Sequence, residues 1–302
     1  MPGKKSMIGK NKSLRSTQTL WFLANCYSAT VIIFFELFCA PTSPVSAEPA
    51  NDQKSASLGC KEHPLVGERL AFQGRWLGIP VGSGTLEVKE IVEIEGRKAY
   101  HIHGEGRTND VLATFYPIED TVESYLDVET LKPVRFEKRQ REGRYRSDEV
   151  VIFDHDKRLA YYESRLNGSK KEIPIENGVQ DLISTLYWLR RQKIEPETTQ
   201  TVDIYTDEKI FRTEIRIGRL QELEILDRGT FQALVIEPKA TFKGMLVKRG
   251  RIWAYMTGDP GHLPLLIKAT TPWGPMNAVL DQNSLKNAQA LWRDTGGCAT
   301  GS

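Results

Sequence analysis

The chain has 302 residues, 40% of them apolar and 26% charged, with 41 basic and 39 acidic side chains and a formal net charge of +2. Such a composition is globular, and the near balance of charge supplies no global field for nucleic acid or an anionic membrane. There is no Gly-x-x-x-x-Gly-Lys loop to hold a nucleotide.

Lys4, Lys5, Lys10, Lys12 and Arg15 precede an apolar run from Leu20 to Ala40, and small residues follow up to Val45, Ser46 and Ala47. A basic segment, an apolar segment and a small-residue site in that order form the layout of a secretory signal, so residues 1–47 are expected to direct export to the periplasm. The competing reading is a retained inner-membrane anchor facing the periplasm. The run has nearly the ~20 residues that a membrane-crossing helix needs. Asn25 and Glu36 interrupt it, and a carboxylate near the bilayer centre costs about 2.5–3.5 kcal/mol. Residues 1–47 hold five basic side chains and one acidic, so the remainder has 36 basic and 38 acidic residues and a net charge of −2.

Residues 48–66 read as a flexible linker, 67–282 as one β-rich domain, and the polar, Gly-containing stretch 283–302 as a flexible tail. Cys26 and Cys39 lie in the signal, which leaves Cys60 and Cys298 near the two ends. In an oxidising compartment they either pair as a disulfide or remain unrelated thiols. Closing so long a loop stabilises by up to about 4–5 kcal/mol in the chain-entropy model.

Period-two alternation dominates the central block. Leu70, Phe72 and Trp76 share one face of a strand, with Gln73 and Arg75 on the other. Gly82 and Gly84 continue the apolar phase of Leu86 and Val88, where glycine permits sharp curvature or a close neighbour. The pattern recurs at Tyr100 and Ile102 against His101 and His103, and at Val134 and Phe136 against Arg135, Glu137 and Arg139. It recurs again at Phe211, Thr213, Ile215 and Ile217 against Arg212, Glu214 and Arg216. Glu95-Gly96, Glu142-Gly143, Asn167-Gly168 and Asp207-Glu208 mark hairpin turns. One solvated face per strand indicates antiparallel sheet.

A single helix interrupts the strands. Asn177 to Gln180 supply a capping signal, and Leu182, Ile183, Leu186 and Leu189 recur at helical spacing in the segment 181–191 that follows. The expected fold is mainly β: one curved antiparallel sheet or partial β-barrel with one central amphipathic α-helix on its concave side or across its open end.

Six segments occur in this order: Gly67 to Leu70, Trp76 to Ile79, Gly96 to Ile102, Phe115 to Asp120, Gln180 to Tyr187, and Trp253 to Thr257. Together they resemble the domain-of-unknown-function 3108 family of exported bacterial proteins, over about Gly67 to Gln282. The resemblance implies an exported β-rich domain and carries no catalytic residue. In layout it is similar to periplasmic lipoprotein carriers of the LolA and LolB type.

Candidate chemistry is sparse. His101 and His103 share one face of a strand, as some zinc sites require, with His155 as a third ligand; the alternative is that they decorate the solvated face. Ser184 lacks a nucleophile elbow, and the cysteines lack CxxC spacing. Arg139, Arg141, Arg144 and Arg146 surround a hairpin, either as a salt-bridged solvated turn or as a site for lipid phosphates. Trp76, Phe115, Tyr116, Tyr187, Trp188, Trp253 and Trp273 are the candidate ligand-binding residues, lining a gap between sheet and helix that would take an acyl chain. Filling the core is the competing role for these rings. The leading expectation is a non-catalytic carrier of a lipid or lipoprotein acyl chain in envelope biogenesis, with no cofactor. A protein-interaction module of an envelope complex comes second, and a metal-dependent hydrolase third.

Overall fold

The computed structural model describes residues 64–242, 245–246, 251–271 and 274–294. The signal, most of the expected linker, Trp273, Cys60 and Cys298 lie outside the described residues.

Among the described residues, fifteen strands form one antiparallel sheet. They are β1 (Arg69–Trp76), β2 (Ile79–Ile94), β3 (Arg97–Thr108), β4 (Glu119–Asp127), β5 (Pro133–Glu142), β6 (Tyr145–Asp154), β7 (Leu159–Ser164) and β8 (Lys170–Pro174), followed by β9 (Thr199–Thr206), β10 (Lys209–Ile225), β11 (Gly229–Phe242), β12 (Met245–Leu246), β13 (Arg251–Thr257), β14 (Pro264–Thr271) and β15 (Gly274–Leu280). The spatial order runs β8-β7-β6-β5-β4-β3-β2-β1-β15-β14-β13-β11-β10-β9, and β12 pairs only with β11. Two edges remain, β8 and β9, and they do not pair with each other.

Nevertheless the edges face one another. Phe153 on β6 meets the Tyr205 ring on β9 edge-on at 5.6 Å. Lys138 on β5 reaches Asp207 in the β9–β10 turn at 2.6 Å, and Lys171 on β8 bonds to Glu208. The sheet is therefore an open barrel, curled until side chains rather than backbone join its two ends. A parallel bridge between Gln180 and Ile204 blunts the β9 edge.

The expected turns form where the sequence places them. Glu95-Gly96 and Asp207-Glu208 each put two successive residues at positive φ, the conformation of the tight hairpin turn whose twist matches its strands, and Leu77-Gly78, which is not among the hairpin turns marked in the sequence, does the same. The expected alternation holds on β10, where Phe211, Thr213, Ile215 and Ile217 are buried while Arg212, Glu214 and Arg216 are exposed.

Among the described residues, three helices accompany the sheet. α1 is a single turn (Asp110–Ala113) capped by Asn109, α2 (Leu182–Arg191) is the central helix, and α3 (Gln282–Asp294) follows the last strand. The cap of α2 is Asp181, not the Asn177–Gln180 segment. Its Oδ1 accepts from the amides of Ile183 and Ser184, and its own amide donates to the Ser184 hydroxyl.

Residues 282–294 also depart from the expected tail. Asp281 caps the amides of Asn283 and Ser284, Leu285 and Ala288 are buried, and the Ala71 amide donates to the Ser284 hydroxyl. The helix was concealed by its polar composition, because only two apolar positions three residues apart need burial. At the other end, Pro64 and Leu65 are buried, so the packed chain begins inside the expected linker.

Buried polar contacts at its two ends hold α2 inside the sheet. At its start, the Ser124 hydroxyl on β4 donates to Asp181 Oδ2 at 2.6 Å. At its end, the Arg190 guanidinium donates two bonds of 2.7 Å to the carboxylate of Glu68, and both side chains are fully enclosed. Arg190 Nε also donates to the Gly261 carbonyl, and the guanidinium lies 5.4 Å from the centre of the Tyr187 ring.

Breaking a buried ion pair leaves one charge without its partner, which costs about 3–5 kcal/mol. Arg190→Ala is therefore expected to lower the unfolding free energy by about that amount in urea titrations. The Glu68→Leu/Arg190→Met double variant is expected to recover most of the loss.

Asp181 generates a pH dependence. Burial pushes its carboxyl up to about 6, although the hydrogen bonds from Ser124, Ser184 and Ile183 pull it down. The folded state then holds this proton more tightly than the unfolded chain, so this contribution to stability is present at low pH and is lost as pH rises from about 4 to 6. The loss amounts to about 3 kcal/mol. Asp181→Asn is expected to flatten that slope in denaturation curves taken between pH 4 and 7.

Candidate functional site

The inner face of β1–β3 carries glycine where its neighbours carry bulky side chains. Gly74 pairs with Gly82, Gly84 with Gly106, and Leu86 with Gly104. A Cβ on Gly82 would lie 2.3 Å from the Arg107 carbonyl oxygen, and one on Gly84 would lie 3.2 Å from that of Glu105. The expected close neighbour is present at Gly82 and Gly84, and the sheet surface there is also stripped of side chains.

Opposite this floor lie Leu182, Ile183 and Leu186 of α2, and Phe72, Val81, Leu86, Val122 and Ala278 complete the apolar wall. The hollow measures about 950 Å³ out to its open mouth, and about 100 Å³ of it admits the centre of a water-sized molecule. One water needs roughly 10–15 Å³ by that second measure, so the space takes several waters or a stretch of hydrocarbon.

One end of the cavity is polar, where Asp120, Lys138 and Gln140 border it. Lys138 Nζ is held 2.6 Å from Asp207 and 3.5 Å from Glu149. Burial raises the Glu149 carboxyl, against the pull of Lys138. Burial also raises Asp120, against the Arg141 amide, which donates to Oδ1 at 2.8 Å, and a hydrogen bond with Glu142. Two carboxyl groups bonded to each other favour one proton between them. This end thus offers a fixed cation, an amide and the Asp120 carboxyl.

The candidate aromatics lie elsewhere. Trp76 is 36% exposed at the end of β1, and Phe115 is 81% exposed after α1. Tyr116 packs on Gly143, where an added Cβ would meet the ring at 2.9 Å. Tyr187 is fully buried beneath Arg190, Trp188 flanks the second apolar cluster, and Trp253 carries the Arg251 guanidinium over its ring at 4.6 Å. None of these six borders the cavity, where Phe72 is the one aromatic ring among the described lining residues. Rings filled the core or faced outward because the cavity exists where side chains are missing.

His101 and His103 sit on the solvated face opposite buried Ile102 and clasp Glu123 of β4, at 2.7 Å each. Burial raises Glu123, but the bonds from His103 and His101 outweigh it and hold the carboxyl below its ordinary range. His155 bonds instead to the Pro133 carbonyl. Among the described residues no group of three or more His, Cys, Asp or Glu is placed to hold a metal ion.

Sequence reasoning singled out Gly82 and Gly84 but missed Gly104, Gly106, Asp120, Lys138 and Gln140, which had a visible signature. Gly82-x-Gly84 and Gly104-x-Gly106 lie on partner strands of one predicted hairpin, in the inward phase. Asp120 shares the phase of Val122, and Lys138 and Gln140 share that of Val134 and Phe136.

With this geometry in view, the comparisons acquire meaning. The family model of DUF3108, a protein family of unknown function, matches residues 71–281. The chain belongs to the DUF3108 family. No curated protein matches it. Among solved structures it is similar to a β-barrel-like protein of the DUF1849 domain of unknown function from Brucella abortus, at 9% identity and a TM-score of 0.51, covering 72% of this chain and 96% of that one. That likeness supports the fold and nothing beyond it. A putative exported protein with a YmcC-like fold from Bacteroides fragilis aligns at 11% identity over 73% of this chain and 97% of its own, with a TM-score of 0.27, too low to carry an argument.

Gly82→Ala is expected to push β3 away, because the atom met is backbone and cannot rotate aside. Overpacking of this kind costs about 1–3 kcal/mol. Amide exchange across the β2–β3 ladder should accelerate while the β9–β11 ladders keep wild-type protection.

Proposed function

We propose that this DUF3108 protein is an exported, non-catalytic binding protein that carries an apolar ligand, such as a lipid or lipoprotein acyl chain, between α2 and the glycine floor. The supporting observation is the cavity. A glycine-lined sheet facing Leu182, Ile183 and Leu186 leaves aliphatic wall with nothing to cover it. Each methylene moved there from water gains ~0.8 kcal/mol. Asp120, Lys138 and Gln140 give the chain's polar terminus a place to end. The basic, apolar and small-residue order of residues 1–47 supports work in the periplasm, and retention of Leu20–Ala40 as a tether would leave the same domain on the same side. Among the described residues no helix is long and apolar enough to cross a membrane.

Native mass spectrometry of protein purified from membranes is expected to detect co-purifying lipid, and a fluorescent fatty acid is expected to bind the delipidated chain. Ala278→Leu fills the hollow and should weaken that binding roughly tenfold, the equivalent of about two methylenes of lost burial. Absence of both lipid and fatty-acid binding in the wild-type chain overturns the reading.

A further inference from the structure

Large apolar side chains are unusually exposed at one end of the barrel. Trp76 and Leu77 at the β1–β2 turn, Ile79 opening β2, Val111 on α1 and Phe115 after it are 36%, 57%, 64%, 75% and 81% exposed. They belong to one rim. The Asn109 side chain at the start of α1 donates to the Pro80 carbonyl, and its amide donates to that of Val81. Beyond α1, the ring of Tyr116 rests on Gly143 in the β5–β6 turn, whose amide donates to the Pro117 carbonyl. That turn brings in the arginine hairpin.

The arginines give the rim its sign. Arg107 at the end of β3 and Arg144 in the β5–β6 turn are exposed. Arg146 donates to the carbonyls of Gly143 and Tyr145, which leaves its charge uncancelled. Arg141 stands 3.7 Å from Glu119, with both side chains exposed, and such pairs contribute little. A locally basic apolar rim thus stands on a chain whose net charge is −2 without residues 1–47. The cavity wall begins directly behind it, at Gly74, Val81 and Gly82.

We infer that this rim docks on the surface of an anionic lipid bilayer, with the five apolar side chains at the level of the headgroup–acyl boundary and Arg107, Arg144 and Arg146 on lipid phosphates. Amphipathic surfaces bind at that depth by apolar burial plus attraction to anionic lipid, and tryptophan favours the same interface. An anionic bilayer answers both features at once, whereas a protein partner would need an acidic side chain placed opposite each arginine as well as an apolar face. Docking in this pose brings the Gly74, Val81 and Gly82 end of the cavity close to the source of its ligand. What passes between them rests on the carrier reading above; the docking itself does not.

The test uses the full chain with vesicles of phosphatidylglycerol and phosphatidylcholine, read by hydrogen–deuterium exchange so that attachment through Leu20–Ala40 is not mistaken for docking. Exchange in residues 75–81, 109–118 and 142–146 is expected to slow with anionic vesicles and to recover in high salt. The Leu77→Asp/Phe115→Asp variant should lose that protection yet bind fluorescent fatty acid in solution as wild type does, while Ala278→Leu should show the reverse. Each arginine replaced by glutamine should weaken docking roughly fivefold. Unchanged exchange in all three segments when the chain is vesicle-bound overturns the docking and leaves the carrier reading standing; protection without any fatty-acid binding does the opposite.

Discussion

The architecture depends on holding a helix against the inside of a sheet. An α-helix hidden there must bury its polar ends, and each unsatisfied group would cost about 1–3 kcal/mol. Here both ends of α2 are tied to the barrel wall by side chains that have left water: Asp181 to Ser124 on β4, and Arg190 to Glu68 just before β1. Sheet order separates β4 from β1 by only two strands, so the two ties set the distance between helix and sheet over that sector. The rest of the apolar core, from Phe153 to Leu265, packs around that separation.

Between those two ties the sheet carries glycine. Had Gly74, Gly84 and Gly104 been valine or leucine, their side chains would fill the gap and α2 would rest on a solid core, as it does farther on against Ile204, Ile215 and Ile217. The same residues that lower the floor also let β2 and β3 close on each other. A hollow is therefore a consequence of curvature and side-chain absence together. The polar end of the hollow follows the same geometry, because Lys138 must look inward to join β5 to the β9–β10 turn where the open sheet meets itself.

The cavity and the exposed rim share an end of the barrel because connections share it. The β1–β2 turn, α1 and the β5–β6 turn all lie beyond the strand ends where the inner glycines begin. Loops tolerate exposed apolar groups that strands on a solvated face would not, and function collects at such places. On the outer face, by contrast, His101 and His103 bind Glu123, and Arg165 bridges to Glu137 and Asp148.

Much of the fold was legible in the sequence because its signals are local. Alternation on β10, turns at Glu95-Gly96 and Asp207-Glu208, and helical spacing from Leu182 to Leu189 depend on neighbours a few residues away. So did the inward phase of Gly82 and Gly84. The helix at Gln282–Asp294 escaped because a mostly polar segment becomes helical when Leu285 and Ala288 find a surface, here β1, that is over 200 residues distant in sequence. The sequence by itself thus determined strands, turns, one central helix and their faces. The tertiary structure decided which missing side chains coincide, placing Gly74, Gly84 and Gly104 under Leu186 and sending Trp76 and Phe115 outward. That outcome rests on register and curvature across several strands, and no spacing within one strand encodes them.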